Sequence, residues 1–555
     1  MQYLRTSKLL VLGNCSYLAR YCYSTKMAFT LQRVLISDSV SPKCTEILRE
    51  NGIQVDNKTK LSKEELLAEI PNYDGLIVRS ATKVTADVIQ AGTNLKIIGR
   101  AGTGVDNIDI KAATHHGVVV MNTPGGNTLS AAEHTCAMVC CLSRSLPQAH
   151  ATLKAGKWDR KAFMGSELYG KTLGIVGLGR IGREVAQGMQ SFGMTTIGFD
   201  PIVPAEEAAQ YKIEWMSLED MWPRCDYITV HTPLIPQTKG LLGDASFKLC
   251  KKGVKVINVA RGGIIDEEGL LRALDAGQCG GAALDVFVEE PPTNTALVQH
   301  PKVIVTPHLG ASTVEAQERV ACEIAEQFVD GVNGKSLFGA INARALSNAL
   351  SPETKPMVSL GQGLAVVASS LAKGQLNAAT FQVTTYGPSL AKAGSYLKAA
   401  VSAGILRVQT GGNNVNLVNA EPLLAEVGIE ITVNHEDAAP ANSKASVAVT
   451  ITVGGNPHRL GGAVFGTSPQ LVEIDSATFD TGCPLSGNWL LYRSQNAAAS
   501  LAAIAGALGD KNQLLSFSSS APTNGESWSV LKLASPQPGV EALNGAVSSA
   551  VSFTI

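Results

Sequence analysis

The chain has 555 residues, with 46 Lys plus Arg against 47 Asp plus Glu, a formal net charge of -1 and a pI of about 6.8. Such a length predicts three or four domains; the charge balance excludes a general nucleic-acid binder, which needs a basic excess, and 45% apolar residues exclude wholesale disorder. No apolar run reaches the roughly 18 residues of a membrane span, and eleven scattered cysteines without a C-x-x-C pair fit a reducing, intracellular setting better than a disulfide scaffold. Residues 1–26 hold Arg5, Lys8, Arg20 and Lys26 and no acid. They read as an extension ahead of Met27, either a disordered tail of a cytoplasmic protein or a mitochondrial presequence.

From Arg33 onward short β-branched runs alternate with helical stretches, as parallel α/β domains require. The first set is Val34–Ser37, Leu76–Arg79, Lys96–Gly99 and Val118–Met121. Ser130-Ala-Ala-Glu133 has capping-box spacing and predicts a connecting helix through Cys136–Leu146. The second set is Thr172–Val176, Thr195–Phe199, Tyr227–His231, Lys255–Val259, Ala282–Val286 and Val303–Thr306, six buried-type strands of a doubly wound sheet. A last helical stretch, Val314–Gly331, is expected to recross to the first domain, which would then consist of 27–125 and 311–340 around a second domain at 126–310. Ligands in such folds sit at the carboxyl ends of the strands, here the cleft between the sheets.

Gly177-Leu-Gly179-Arg-Ile-Gly182 follows the strand Thr172–Val176 and opens a helix. In that context G-x-G-x-x-G is a dinucleotide site: Gly177 makes the tight turn, Gly179 admits the pyrophosphate and Gly182 lets helix and strand pack closely. The helix N-terminus offers unpaired N–H groups to phosphate. Eighteen residues after Gly182, Asp200 ends the next strand, where a carboxylate accepts from ribose hydroxyls and repels a 2′-phosphate, favouring NAD over NADP.

Three further strand ends carry Arg261 (in Ala-Arg-Gly-Gly), Glu290 (in Asp285-Val-Phe-Val-Glu-Glu290-Pro-Pro) and His308 (in Pro-His-Leu-Gly). Three such side chains at neighbouring strand ends, on the edge that takes the cofactor, predict an active site. The ordered set G-L-G-R-I-G, A-R-G-G, D-V-F-x-x-E-P-P and P-H-L-G resembles the D-isomer-specific 2-hydroxyacid dehydrogenases. Leu76-Ile-Val-Arg79-Ser, Gly99-Arg100-Ala-Gly-Thr103-Gly-Val-Asp106-Asn and Met121-Asn-Thr-Pro narrow the resemblance to the long form of that family, whose substrate carries a phosphate. The similarity begins near Met27, is dense to about residue 345 and is looser beyond.

The resemblance implies two Rossmann-like domains and NAD-dependent oxidation of 3-phospho-D-glycerate to 3-phosphohydroxypyruvate by hydride transfer, the first step of L-serine biosynthesis. In that reading His308 takes the C2 hydroxyl proton, Glu290 rather than Glu289 orients the imidazole, and Arg261 forks onto the carboxylate and C2 oxygen. Arg79 and Arg100, with Ser80 and Asn127 beside them, are the expected phosphate readers. Thr103, Arg180, Ile181, Thr232, Val259, Ala260, Asp285, Leu309, Gly310 and Ala311 match positions that line the dinucleotide, Val259 through its backbone, and His231 is cofactor-proximal rather than catalytic. A hinge is expected near Thr123–Asn127 and Gly310–Ser312, with Gly125 and Gly126 as candidates to absorb the motion.

Beyond residue 340 the composition changes: only 19 of the 175 residues from Phe381 to Ile555 are charged, which favours association between subunits, as a homodimer or homotetramer. Phe381–Thr385, Val415–Val418, Ile429–Val433 and Ala445–Val453 are expected strands. The resemblance implies an intervening α+β domain at 345–487 and an ACT-like module at 488–555. Within that module Trp489–Arg493, Leu514–Ser518 and Trp528–Leu533 read as strands, and Ala497–Gly509 and Val540–Val547 as helices. In serine-inhibited relatives such a module binds serine; no effector pocket is legible in this sequence. The rival readings are a hydroxypyruvate/glyoxylate reductase or other D-2-hydroxyacid dehydrogenase, and, less favoured, a dinucleotide-sensing corepressor of the same fold. The nine histidines show no metal-ligand spacing, so neither a metal, a nucleic acid nor a membrane is an expected partner.

Overall fold

The structure, a computed structural model, describes residues 30–555 apart from 373–375, 377–378, 412–414, 442, 509–512 and 538–546. The extension at 1–26 and most of the helix expected at Val540–Val547 lie outside the described residues.

The first sheet comprises β1 (Arg33–Ile36), β2 (Gln54–Asn57), β3 (Gly75–Val78), β4 (Ile97–Arg100) and β5 (Val119–Asn122), all parallel in the order β2-β1-β3-β4-β5. The second comprises β6 (Thr172–Val176), β7 (Thr195–Phe199), β8 (Glu214–Trp215), β9 (Tyr227–Val230), β10 (Val254–Asn258), β11 (Cys279–Leu284) and β12 (Val303–Val305), in the order β12-β11-β10-β9-β6-β7-β8. Both are doubly wound, with the order reversing at β1 and at β6. The central strands are apolar throughout because helices cover both faces.

Each sheet holds one strand more than its apolar runs predict. β2 and β8 are edge strands whose side chains, apart from the buried Val55, are polar or exposed, so no buried run marks them.

Two helices join the halves. Thr128–Arg144 starts with Asn127 at its N-cap, three residues ahead of the Ser130 that opens the predicted capping box. Ser130 is a buried residue of the first turn, and its hydroxyl lies 2.7 Å from that of Thr313. The sequence spacing therefore mimicked a cap, while the hydroxyl is committed to a contact between the two connecting segments. Val314–Val332, capped by the Thr313 side chain on Ala316 N, returns to the first sheet and buries Val320, Ile324 and Phe328 with Val34, Ile97 and Val119.

The carboxyl-terminal region forms a six-stranded mixed sheet of β13 (Thr380–Tyr386), β14 (Ile431–Glu436), β15 (Val447–Val453), β16 (Asn456–Phe465), β17 (Ser468–Ile474) and β18 (Ala477–Pro484), in the order β14-β13-β15-β16-β17-β18. A four-stranded antiparallel sheet of β19 (Asn488–Ser494), β20 (Leu514–Ser519), β21 (Ser527–Leu533) and β22 (Ser549–Thr554) follows, in the order β20-β21-β19-β22. The helix Ala497–Leu508 leads to β20.

Val415–Val418 is not the expected strand. It is a turn before the helix Ala420–Glu426, and Val418 inserts into the core of the first domain while Asn416 donates to Gly117 O at 2.9 Å. Its apolar side chains serve a docking contact rather than a ladder. Among the described residues no helix is long and apolar enough to cross a membrane, and no three metal-ligating side chains cluster.

Candidate active site

Every residue expected to do chemistry lies just past the carboxyl end of a parallel strand. Gly177 follows β6, Asp200 follows β7, Thr232 follows β9, Arg261 follows β10, Asp285 follows β11 and His308 follows β12, while Arg79 follows β3 and Arg100 ends β4. Parallel strands put all these ends on one edge of each sheet, and the two edges face one cleft.

The glycine turn is built for a phosphate. Gly177 has φ +96°, a backbone that side chains avoid, and a Cβ on Gly182 would lie 2.1 Å from Gly177 O. Gly179 has open space where a Cβ would stand, and it starts the helix Arg180–Gln190 with no side chain capping the free N–H groups. Beside Gly177, Thr232 Oγ1 is buried with no protein partner. An open turn, an uncapped helix and an orphaned hydroxyl together fit a dinucleotide pyrophosphate.

Asp200 accepts from Leu178 N at 2.9 Å and from Ile202 N at 2.8 Å, which fixes its carboxylate at the strand end. Arg180 donates to Pro124 O at 2.9 Å, reaching across to the connecting segment. Ile181 is partly buried against the core of the second sheet, and Val259 is buried with a methyl close to Gly310. His231 is held at 3.0 Å from Thr229 Oγ1, and burial pulls its pKa down to about 4, so it stays neutral.

His308 and Glu290 meet as expected: Nδ1 lies 2.7 Å from Oε2. A carboxylate at Nδ1 keeps the proton on that nitrogen and leaves Nε2 free to accept another. Glu289 is turned aside and accepts from Thr293 Oγ1. His308 has φ +55°, and its turn is held by Asp285, whose side chain is fully buried. Asp285 accepts from Leu309 N at 2.7 Å, Gly310 N at 2.8 Å and Thr306 Oγ1 at 2.5 Å, with His134 Nε2 at 3.3 Å. Burial alone would push its carboxyl up, but these donors outweigh burial and hold it below the ordinary range. Asp285 thus touches the pocket only through the turn it carries, and Ala311 O closes that turn by accepting from Gln317.

Arg261 reaches over the cleft. Its Nε donates to Asp106 Oδ2 at 2.9 Å and its Nη1 to Ala260 O at 2.6 Å, while Asn258 ties down the loop through Arg261 O and Ala260 N. Arg100 lies close by. Its Nε is buried without a partner, and burial, then the charges of Arg261 and Arg79, lower its pKa to about 10. Arg79 donates its backbone N–H to Asp38 and its Nη1 to Ser39 O; burial lowers its pKa and Asp38 offsets part of that. Three guanidiniums that raise one another's energy form a pocket requiring anions.

Gly102 and Gly104 are part of this pocket. A Cβ at Gly102 would stand 1.8 Å from Arg100 Nη1, and one at Gly104 would stand 1.8 Å from Arg261 Nη2. Thr103 donates to Asn127 Oδ1 at 2.6 Å, and Ser80 is exposed on the loop after Arg79. Gly126 packs against Val320, with Arg319 donating to its carbonyl, whereas Gly125 is open. Asp38, Asp106, Asn107, His134 and Asn258 escaped the sequence reading. All but Asn258, which ties down its own loop, act across segments distant in sequence, and only the Asp106-Asn107 pair beside the glycine loop carried a local signal.

A doubly wound dinucleotide fold with an imidazole–carboxylate pair facing an arginine pocket defines a dehydrogenase of 2-hydroxy acids. Accordingly the family described as D-isomer specific 2-hydroxyacid dehydrogenase, NAD binding domain, matches residues 136–310, and the D-3-phosphoglycerate dehydrogenase intervening domain matches residues 353–475. D-3-phosphoglycerate dehydrogenase of Sus scrofa is 52% identical over 533 residues, 95% of this chain and 100% of that one. The Bacillus subtilis enzyme of the same name is 46% identical over 402 residues, 72% of this chain and 75% of that one. The crystal structure of D-lactate dehydrogenase from Aquifex aeolicus complexed with NAD and lactic acid superposes with a TM-score of 0.50 at 26% identity, covering 55% of this chain and 96% of that one. The chain belongs to the D-3-phosphoglycerate dehydrogenases.

Proposed function

We propose that the chain oxidises 3-phospho-D-glycerate to 3-phosphohydroxypyruvate, the entry to L-serine, with NAD rather than NADP as acceptor. The observation that carries the substrate is the convergence of Arg79, Arg100 and Arg261, with Arg100 partly buried and its Nε unpartnered. A carboxylate and a phosphate on one small molecule meet Arg261 at one end and Arg79 and Arg100 at the other; an unphosphorylated 2-hydroxy acid leaves the second end, with the buried Arg100 Nε, without a ligand anion. This favours the reading over a glyoxylate or lactate type dehydrogenase.

Bound NAD supplies the hydride acceptor. The chain's own part is to hold the C2 carbon and move one proton. Arg261 grips the carboxylate and C2 oxygen, and Nε2 of His308 takes the hydroxyl proton as the hydride leaves C2. Glu290 at Nδ1 stabilises the imidazolium that results. Asp200 at the end of β7 accepts from ribose hydroxyls and repels a 2′-phosphate, which is the basis for NAD. We assign 27–125 with 311–340 to the substrate domain and 126–310 to the dinucleotide domain, hinged at Thr123–Asn127 and Gly310–Ser312.

We also propose a homo-oligomer. Leu146, Leu153, Trp158, Met164 and Tyr169, all at least 50% exposed, lie on one segment of the dinucleotide domain, an apolar surface suited to a second copy. A cytoplasmic location accords with the nine free cysteines among the described residues; fractionation of the full chain in cells would separate it from a mitochondrial one.

One preparation tests the reading. NADH formation from 3-phospho-D-glycerate should exceed that from D-glycerate by about a hundredfold in kcat/KM, near 2.7 kcal/mol, and NADP should be the poorer acceptor. The same sample should scatter light at twice the chain mass or more. Equal rates on both glycerates would defeat the substrate assignment, and a monomer would remove the oligomer.

A further inference from the structure

The arginine pocket has one carboxylate, Asp106, bonded directly to a substrate-gripping side chain, and its chain neighbour Asn107 reaches the other end. Asp106 Oδ2 accepts a hydrogen bond from Arg261 Nε at 2.9 Å, across the cleft from its own domain. Asn107 Nδ2 donates at 2.7 Å both to Arg79 O and to Thr82 O. The backbone repeats the link, since Val84 N donates to Asn107 O and Val84 pairs with Ile108. A single dipeptide therefore grips the loop of one arginine and the guanidinium of another.

Asp106 is 70% exposed, and an exposed ion pair adds little to stability. Its effect is geometric. With Nε committed to Asp106 and Nη1 to Ala260 O, the Arg261 guanidinium has one orientation, and its remaining donors stay available to a carboxylate. Gly104 leaves the space that Nη2 occupies, since a Cβ there would stand 1.8 Å from it. At the other end, Asn107 and Asp38 hold the Arg79 loop from its carbonyl and amide sides, so that the guanidinium springs from a fixed backbone.

We propose that Asp106 and Asn107 are positioning residues that set the two grips of the pocket independently, Asp106 the carboxylate end through Arg261 and Asn107 the phosphate end through Arg79. The proposal rests on the substrate reading given above, and it assigns the two ends different signatures. Asp106→Asn removes the acceptor charge from Arg261. It should lower kcat/KM about tenfold for 3-phosphohydroxypyruvate and for hydroxypyruvate alike, leaving their ratio unchanged, with Asp106→Glu restoring most of the loss. Asn107→Ala should lower kcat/KM about tenfold for the phosphorylated substrate alone. NAD affinity, measured by fluorescence titration of the folded protein, should not move in either variant.

If Asn107→Ala does not fold, Asn107→Gln keeps both donors but displaces them and reads the same ratio. Wild-type rates on Asp106→Asn, or equal losses on both substrates in the Asn107 variant, would overturn the proposal. A wild-type chain indifferent to the phosphate would instead strike the substrate reading; the Asp106 arm would then still report on Arg261 through the unphosphorylated acid.

Discussion

His308→Asn is expected to lower kcat about a thousandfold, within the range of a lost general base, while NAD affinity stays within about twofold, since that side chain leaves the glycine turn untouched. Asparagine is the informative replacement because it tolerates the left-handed backbone that His308 adopts at φ +55°. It also keeps a short polar side chain near Glu290, so the fold of the turn is preserved. What it lacks is a second nitrogen that accepts a proton while the first stays bonded to the carboxylate. Glu290→Gln should cost less, about a hundredfold, because the imidazole remains and loses only the charge that stabilises its protonated form. Stopped-flow NADH formation measures both. A His308→Asn enzyme within tenfold of wild type would place the proton acceptor elsewhere.

The second large effect is at Asp285. Its carboxylate is fully buried and satisfies Leu309 N, Gly310 N and Thr306 Oγ1, with His134 adjacent. Asp285→Asn puts an amide donor against one of these donors and leaves it unsatisfied inside the protein, at a cost of about 3 kcal/mol. The first thermal transition should fall by roughly 5–10 °C. Activity should fall further than stability explains, because the turn that holds His308 in its left-handed conformation loses one of its two backbone anchors, Leu309 N or Gly310 N.

The pH dependence has a definite sign. The folded carboxyl sits below its ordinary value of 3.8, so its stabilising contribution is complete above that value and fades as pH falls through the lower folded pKa. Asp285→Asn should lose this acid-side slope, and melting curves from pH 6 down to pH 3 would detect it. Retention of the wild-type slope would assign it to another carboxylate.

Much of the catalytic half was legible because its signals are local. The Gly177–Gly182 spacing, the strand before it and the helix after it lie within one stretch of chain, and the motifs around Arg261, Glu290 and His308 each end a strand with a residue that an apolar run does not need. The choice of Glu290 over Glu289 could be made from its place before Pro291, and the side chains divide accordingly between His308 and Thr293. What the sequence hid is pairing at a distance. Asp106 with Arg261, Asp38 with Arg79, and His134 with Asp285 join segments 155, 41 and 151 residues apart, and no periodicity marks a partner across such a gap.

Local signals also misled where tertiary demand overrode them. Ser130 has the spacing of a cap but is spent on Thr313, and Val415–Val418 has the composition of a strand but packs as a plug. β2 and β8 were missed for the opposite reason: β2 buries only Val55 and both residues of β8 are exposed, so neither carries an apolar run.

The substrate assignment rests on the claim that Arg79 and Arg100 read a phosphate. Initial-rate NADH formation by Arg79→Ala and Arg100→Ala, each on 3-phospho-D-glycerate and on D-glycerate, tests it most directly. The expected result is a KM for the phosphorylated substrate raised about tenfold or more, about 1.4 kcal/mol at least, with kcat/KM on D-glycerate nearly unchanged. Parallel losses on the two substrates would contradict it, since arginines that merely shape the cleft would not tell one acid from the other.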